Sequence, residues 1–201
     1  MRIFPGERRA GLSVGELADF GLGPRSGSKG PLGAWRAELG REWHSALRTE
    51  SEIEQKGTDE VRHEVTVRGV LLCGGWTIEM EGRVDKLSES NDQVLATELK
   101  TTFFPLPATD ERLREKYPHY FLQVAAYLVL LRLLPEYTGK PVAGELLFAD
   151  VSGGGFIQTV SADTRDEAAL EERFAELLAF LEERRSSRQR LSDLIFKPPF
   201  D

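Results

Sequence analysis

The sequence predicts a mixed α/β domain in which helices flank a central sheet, and three observations predict it. Residues 61–72, 76–87 and 93–101 read as successive strands, the first alternating His63, Val65 and Val67 against Glu64, Thr66 and Arg68. Residues 34–54, 118–134 and 163–188 carry apolar side chains at helical spacing or in one long run. The two kinds of segment are interleaved, as helix, three strands, helix, two strands and a terminal helix, which is the pattern of helices laid on a sheet.

The elements follow in order. Ser13 and Glu16 form an N-cap and capping box for a short helix ending near Phe20. Residues 21–33 are rich in Gly, Pro and Ser, and Ser28 and Pro31 around Lys29 do not fit a phosphate-binding P-loop. Leu39, Trp43, Ala46, Leu47 and Ile53 mark one face of the helix at 34–54. Gly74-Gly75 turns the first strand into the second, and residues 88–92 turn the second into the third. Residues 102–114 read as a Pro-containing loop, and Pro118 opens a helix ending near Leu134. Strands at 144–151 and 156–162 flank Gly153-Gly154-Gly155. The last helix presents Leu170, Phe174, Leu177, Leu178 and Leu181 on its apolar face. Residues 1–188 are expected to form a single domain, and 189–201 an extended exit segment.

Composition narrows the function. With 201 residues the chain holds one real core. Lys+Arg number 26 against Asp+Glu 33, a net charge of −7, which excludes nucleic-acid binding by bulk charge alone. Any such role must come from a local patch or a metal. One cysteine, Cys73, excludes an intramolecular disulfide, a four-cysteine iron–sulfur cluster and a cysteine-rich zinc site. It fits a reducing, cytoplasmic setting. No signal peptide is read, and the most apolar run, 121–134, contains Gln123 and Arg132 and is too short for a bilayer, so no membrane association is expected.

The hairpin at 81–101 carries the chemistry. A two-residue turn at Asn91-Asp92 sets Asp85 directly opposite Glu98 on one face. Lys100 shares that face and Leu99 points to the other. Two carboxylates held together repel, and a divalent cation with oxygen ligands is the natural compensation. Lys100 is then placed to orient or help deprotonate a water, or to hold a phosphate oxygen. Alone, an Asp near a strand end or a Glu-x-Lys is ordinarily a solvated strand face. On the following helix Gln123 is the only uncharged amide in an apolar run and shares a face with Tyr127, so it needs polar partners. His119 lies on the same stripe. The cluster Arg112, Arg114, Lys116 just before that helix is ordinarily a solvated face, and its place beside the helix is one where it could hold phosphates.

Gly82-Arg83-Val84-Asp85, then Glu98-Leu99-Lys100, then Gln123 and Tyr127 resemble the PD-(D/E)XK nuclease superfamily, RecB-type branch, with its ordered G-x-x-D, (D/E)-x-K and Q-x-x-x-Y. His44 fits the helical histidine that often precedes them, and Ser13 to Leu17 also suits this branch. The resemblance spans about residues 12 to 185. It implies a restriction-endonuclease-like mixed sheet flanked by helices. It also implies Mg²⁺ or Mn²⁺ on Asp85, Glu98, the backbone carbonyl of Leu99 and His44, with Lys100 as the catalytic lysine. Gln123 and Tyr127 would flank the site and touch the DNA backbone or Lys100. The implied activity is metal-dependent hydrolysis of DNA, on single strands or ends. Iron–sulfur-stapled relatives need four cysteines, so no such cluster is expected here. The apolar terminal stretch around Phe196 and Pro198-Pro199-Phe200 resembles the entry to a superfamily 2 helicase motor, which would make this chain a helicase-associated nuclease module. The rival reading is a catalytically inactive nuclease fold used for DNA binding or docking; intact Asp85, Glu98 and Lys100 argue against it. A restriction-type endonuclease is disfavoured by the Gln123–Tyr127 helix.

Overall fold

A computed structural model describes residues 1–22, 34–35, 38–43, 45–46, 60–151 and 156–196. The strands are β1 (Arg2–Phe4), β2 (Arg9–Ser13), β3 (Glu60–Cys73), β4 (Trp76–Glu89), β5 (Val94–Thr102), β6 (Val142–Asp150) and β7 (Phe156–Ser161). The helices are α1 (Val14–Ala18), α2 (Asp110–Lys116), α3 (Pro118–Arg132) and α4 (Thr164–Phe196). Residues 34–35, 38–43 and 45–46 are also helical, inside the span where the sequence places a helix.

All seven strands form one sheet in the order β1-β2-β4-β5-β6-β7, with β3 on the other edge of β4. β2 runs parallel to β4 and β5 parallel to β6; the remaining pairs are antiparallel. This is the mixed, helix-flanked sheet of a restriction-endonuclease-like fold.

β4 is the axis of the site. β3 follows one of its edges along almost the whole length. The other edge is divided: β2 pairs with Thr77 to Glu81, and β5 pairs with Lys86 to Glu89. Gly82, Arg83, Val84 and Asp85 lie between, on a stretch of edge that neither neighbour covers. β5 meanwhile stays on β6 from Val94 to Thr102. So β4 and β5 part company beyond the Lys86–Thr97 pair, and the sheet opens there.

α3 lies across this opening. Its buried residues are Phe121, Leu122, Val124, Ala125, Ala126, Tyr127, Leu128, Leu130 and Leu131, so it is apolar nearly all round. It packs on β6, α4 and α1. At ~1.5–3 kcal/mol for each large apolar side chain fully buried, the helix is a stiff mount for the few polar groups it carries. Among the described residues no helix is long and apolar enough to cross a membrane.

Four elements depart from the sequence reading. β1 and β2 were not legible, since each is five residues or fewer. Residues 102–114 are not all loop: Thr109 caps α2 by accepting from Arg112 N at 3.4 Å, and Asp110, Glu111, Arg114 and Lys116 suit its dipole. The last helix ends at Phe196 rather than near Arg188, so residues 191–196 are helical, not extended. No Gly or Pro interrupts it between Thr164 and Phe196; the first breaker is Pro198.

Candidate active site

An open strand edge leaves backbone polar groups that must be paired. Here side chains pair them. Leu99 N–H donates to Asp85 Oδ2 at 2.8 Å, where a ladder bond to β4 would otherwise run. The hydroxyl of Tyr127 on α3 donates to the carbonyl of Arg83 at 3.0 Å. Asp85 is thereby tied to β5, and the strand that carries it is tied to α3.

The turn closes as the hairpin argument requires. Ser90 N–H donates to Gln93 O at 3.0 Å around Asn91-Asp92, and the register Lys86–Thr97, Leu87–Ala96, Ser88–Leu95, Glu89–Val94 follows. One step further, Asp85 and Glu98 face each other across the mouth of the opening. Glu98 is 4% exposed. Its Oε1 accepts from Lys100 Nζ at 2.6 Å, while Oε2 is buried and, among the described residues, no donor reaches it. Burial first, then the neighbouring Asp85 carboxylate, pushes the Glu98 carboxyl up to about 7, against a downward pull from Lys100. Two carboxylates thus share one lysine in a desolvated site.

Lys100 Nζ also lies 4.8 Å above the ring centre of Tyr120, within cation–π range. Tyr120 stacks on Tyr117 with centroids 5.6 Å apart. Sequence reasoning missed Tyr120. It precedes Gln123 by three residues and Tyr127 by seven, so the helical stripe that singled those two out runs through it as well.

The remaining residues fall as follows. Tyr127 is 3% exposed, and burial pushes its phenol far up. Gln123 is half-buried beside α1, its amide nitrogen 3.9 Å from where a Cβ on Gly15 would sit. Ser13 and Glu16 form the full capping box, Ser13 Oγ accepting from Glu16 N at 3.1 Å and Glu16 Oε2 from Ser13 N at 2.8 Å. Arg114 is held by Asp166 and Asp163, so it pins α2 to α4 rather than facing solvent. His44 lies outside the described residues.

The residues present fit a divalent cation. Glu98 offers a buried oxygen with no donor, next to a second carboxylate. In a strand a residue's N–H and C=O leave by the same edge, so the Leu99 carbonyl opens to the same gap as the amide held by Asp85. Among the described residues no third His, Cys, Asp or Glu completes a protein-only cage. A hard divalent cation suits such a site, since one or two carboxylates can hold it while waters and substrate phosphate supply the other ligands.

The chain belongs to the PD-(D/E)XK nuclease superfamily, whose sequence model matches residues 12–192. Nucleases of that superfamily generally use divalent metal ions and act on DNA. No curated protein sequence matches the chain significantly. The solved structure of SSO0001 shares the fold, with TM-score 0.53 and 18% identity over 85% of this chain and 76% of that one. The alkaline exonuclease LHK-Exo from Laribacter hongkongensis aligns at TM-score 0.47 and 14% identity over 92% of this chain and 94% of its own. Its complex with dAMP aligns at 0.49 and 15% over the same shares.

Proposed function

We propose that this chain is a metal-dependent deoxyribonuclease that hydrolyses phosphodiester bonds in single-stranded DNA or at DNA ends, with Mg²⁺ or Mn²⁺ as its cofactor. The observation that carries the reading is Glu98: a buried carboxylate beside a second one, with one oxygen that no donor among the described residues reaches. An inactive scaffold has no use for that arrangement, which costs stability unless a cation compensates it.

Asp85, Glu98 and the Leu99 carbonyl would hold the cation, with His44 as a further ligand. The chemistry supplied there by a divalent cation would be Lewis-acid: acidification of the attacking water and offset of charge on the phosphate. The chain's own groups do the rest. The Leu99 amide fixes the Asp85 carboxylate in orientation. Lys100 is poised between Glu98 and the Tyr120 ring. The Lys100 ammonium would serve the phosphate oxygen on which charge develops. Gln123 lies one turn before Tyr127 on the α3 face that borders the opening, placed to donate to the DNA backbone. A helicase setting rests on the resemblance of the terminal Phe-Lys-Pro-Pro-Phe segment to the entry of a superfamily 2 motor, and copurification of cleavage with ATP-dependent unwinding tests it.

The purified protein is incubated with end-labelled single-stranded and double-stranded DNA in Mg²⁺, Mn²⁺ or EDTA. Metal-dependent shortening that EDTA abolishes is expected. DNA retention without cleavage in either metal would favour the inactive binding module instead.

A further inference from the structure

We propose that Trp35 and Phe104, with Phe103 beneath Trp35, form a nucleobase-stacking platform that seats single-stranded DNA next to the carboxylate–lysine site. The proposal rests on the nuclease reading and names how that site selects its substrate. Trp35 and Phe104 are 56% and 60% exposed, the two most exposed aromatic side chains among the described residues. Phe4, the next, lies under the Arg9 guanidinium at 4.6 Å. The Trp35 and Phe103 rings meet with centroids 5.3 Å apart and planes tilted by 45°. Phe103 and Phe104 directly follow β5, three and four residues after Lys100.

The platform is held in place. Thr102 Oγ1 accepts from Phe104 N at 3.2 Å and donates to Phe104 O at 3.1 Å, closing a turn. Tyr117 OH lies 3.4 Å from the same Oγ1. At ~3.3 Å per strand residue, Phe104 sits no more than ~13 Å from Lys100 along the chain, within reach of the nucleotides flanking a phosphate there. Cations continue the path: Lys116 lies over the Tyr117 ring at 5.1 Å, and Arg112 and Lys116, with a single carboxylate at Glu115, line a cavity of about 490 Å³ together with Pro105, Leu106 and Pro107. Exposed rings beside cations, continuous with a phosphodiester-cleaving site, match the chemistry of unpaired bases on a charged backbone. A base pair within a duplex has both faces already stacked and gains nothing from the platform.

The test compares binding of a short oligothymidylate with its abasic counterpart of equal length, in Ca²⁺, with the oligonucleotides checked for integrity. Both carry the same backbone charge, so the ratio isolates the bases. The wild type should prefer the base-bearing strand by about tenfold or more, and its tryptophan fluorescence should be quenched by that strand alone. Trp35→Ala and Phe104→Ala should each remove most of the preference, and Trp35→Phe should keep it while losing the quench. Phe104 is exposed enough that its alanine variant decides the matter even if Trp35→Ala is destabilised. Equal affinity for the two strands, an unchanged preference in both alanine variants, or no binding of either strand overturns the platform. Cleavage of end-labelled DNA by the wild type in Mn²⁺ is scored separately: cleavage without base preference sinks the platform alone, and base preference without cleavage sinks the nuclease reading alone.

Discussion

The ring of Tyr127 occupies the space that a side chain on Gly82 would need: a Cβ there would lie 2.6 Å from Tyr127 Cε1 and 2.8 Å from Val14 Cγ2. Above that contact the Tyr127 hydroxyl crosses to the Arg83 carbonyl. The glycine of G-x-x-D is thus the seat for the tyrosine of Q-x-x-x-Y, and together they fix the strand three residues before Asp85. Gly82→Ala should cost ~1–3 kcal/mol by overpacking and reduce cleavage by displacing Asp85. Thermal unfolding and single-turnover cleavage check this; wild-type values for both would show that the fit does not position the site.

Glu98 makes stability depend on pH and metal together. Its carboxyl is raised from the ordinary 4.5 to about 7 by burial and by Asp85. Between those values the native protein keeps a proton that the unfolded chain has released, so stability falls as pH rises through that window and is level above it. A divalent cation competes with that proton, so its affinity should climb up to about pH 7. In EDTA, Glu98→Gln should flatten the decline and raise Tm at pH 8 relative to wild type. Mn²⁺ should raise the wild-type Tm at pH 8 by mass action and leave Glu98→Gln nearly unmoved. Parallel Tm–pH curves for the two proteins in EDTA would rule out Glu98 as the titrating group.

Asp85 has two duties that two substitutions separate. Asp85→Asn keeps an oxygen for the Leu99 amide but drops the charge, so the metal-free Tm should hold or rise as repulsion with Glu98 is relieved, while cleavage is lost. Asp85→Ala also strands the buried Leu99 N–H, at a cost of ~1–3 kcal/mol. Equal stability of the two variants would mean that the Asp85–Leu99 bond contributes nothing; full cleavage by either would remove Asp85 from the site.

Lys100→Ala should retain Mn²⁺ binding by calorimetry yet lose about 10²–10³-fold in single-turnover rate, as expected for removing one group aimed at developing charge. Tyr120→Leu, which removes the ring beneath the ammonium, should lower the rate by a smaller factor without changing metal affinity. Loss of Mn²⁺ binding in Lys100→Ala would make the lysine a structural element of the pocket.

The hairpin was legible because a two-residue turn fixes register, and register fixes which side chains oppose each other. From Asn91-Asp92 alone, Asp85 falls opposite Glu98. The opening of the sheet was not legible. It arises because β2 leaves the edge of β4 at Ser13, before β5 joins at Lys86, and β2 is a short, unpatterned strand. Without it, Tyr127 had no visible partner in the Arg83 carbonyl, and Tyr120 had no visible reason to meet Lys100. Local patterns thus showed the charged pair, and tertiary placement alone showed what braces it.

Gln123 and Tyr127 share a helix face but should behave differently on mutation. The Tyr127 hydroxyl serves a part-buried backbone carbonyl on an otherwise open edge. Tyr127→Phe should therefore leave that carbonyl unpaired, cost ~1–3 kcal/mol of stability, and lower cleavage only through the looser placement of Asp85. Gln123 is half-buried beside α1 at the border of the opening. If it donates to DNA, Gln123→Leu should change Tm little, since leucine suits the apolar helix, yet weaken cleavage and DNA affinity at unchanged metal affinity. Tm, single-turnover cleavage and Mn²⁺ calorimetry on both variants separate the roles. A destabilised Gln123→Leu that cleaves normally at low temperature would make Gln123 a packing residue like its neighbours and leave the DNA contact to other groups.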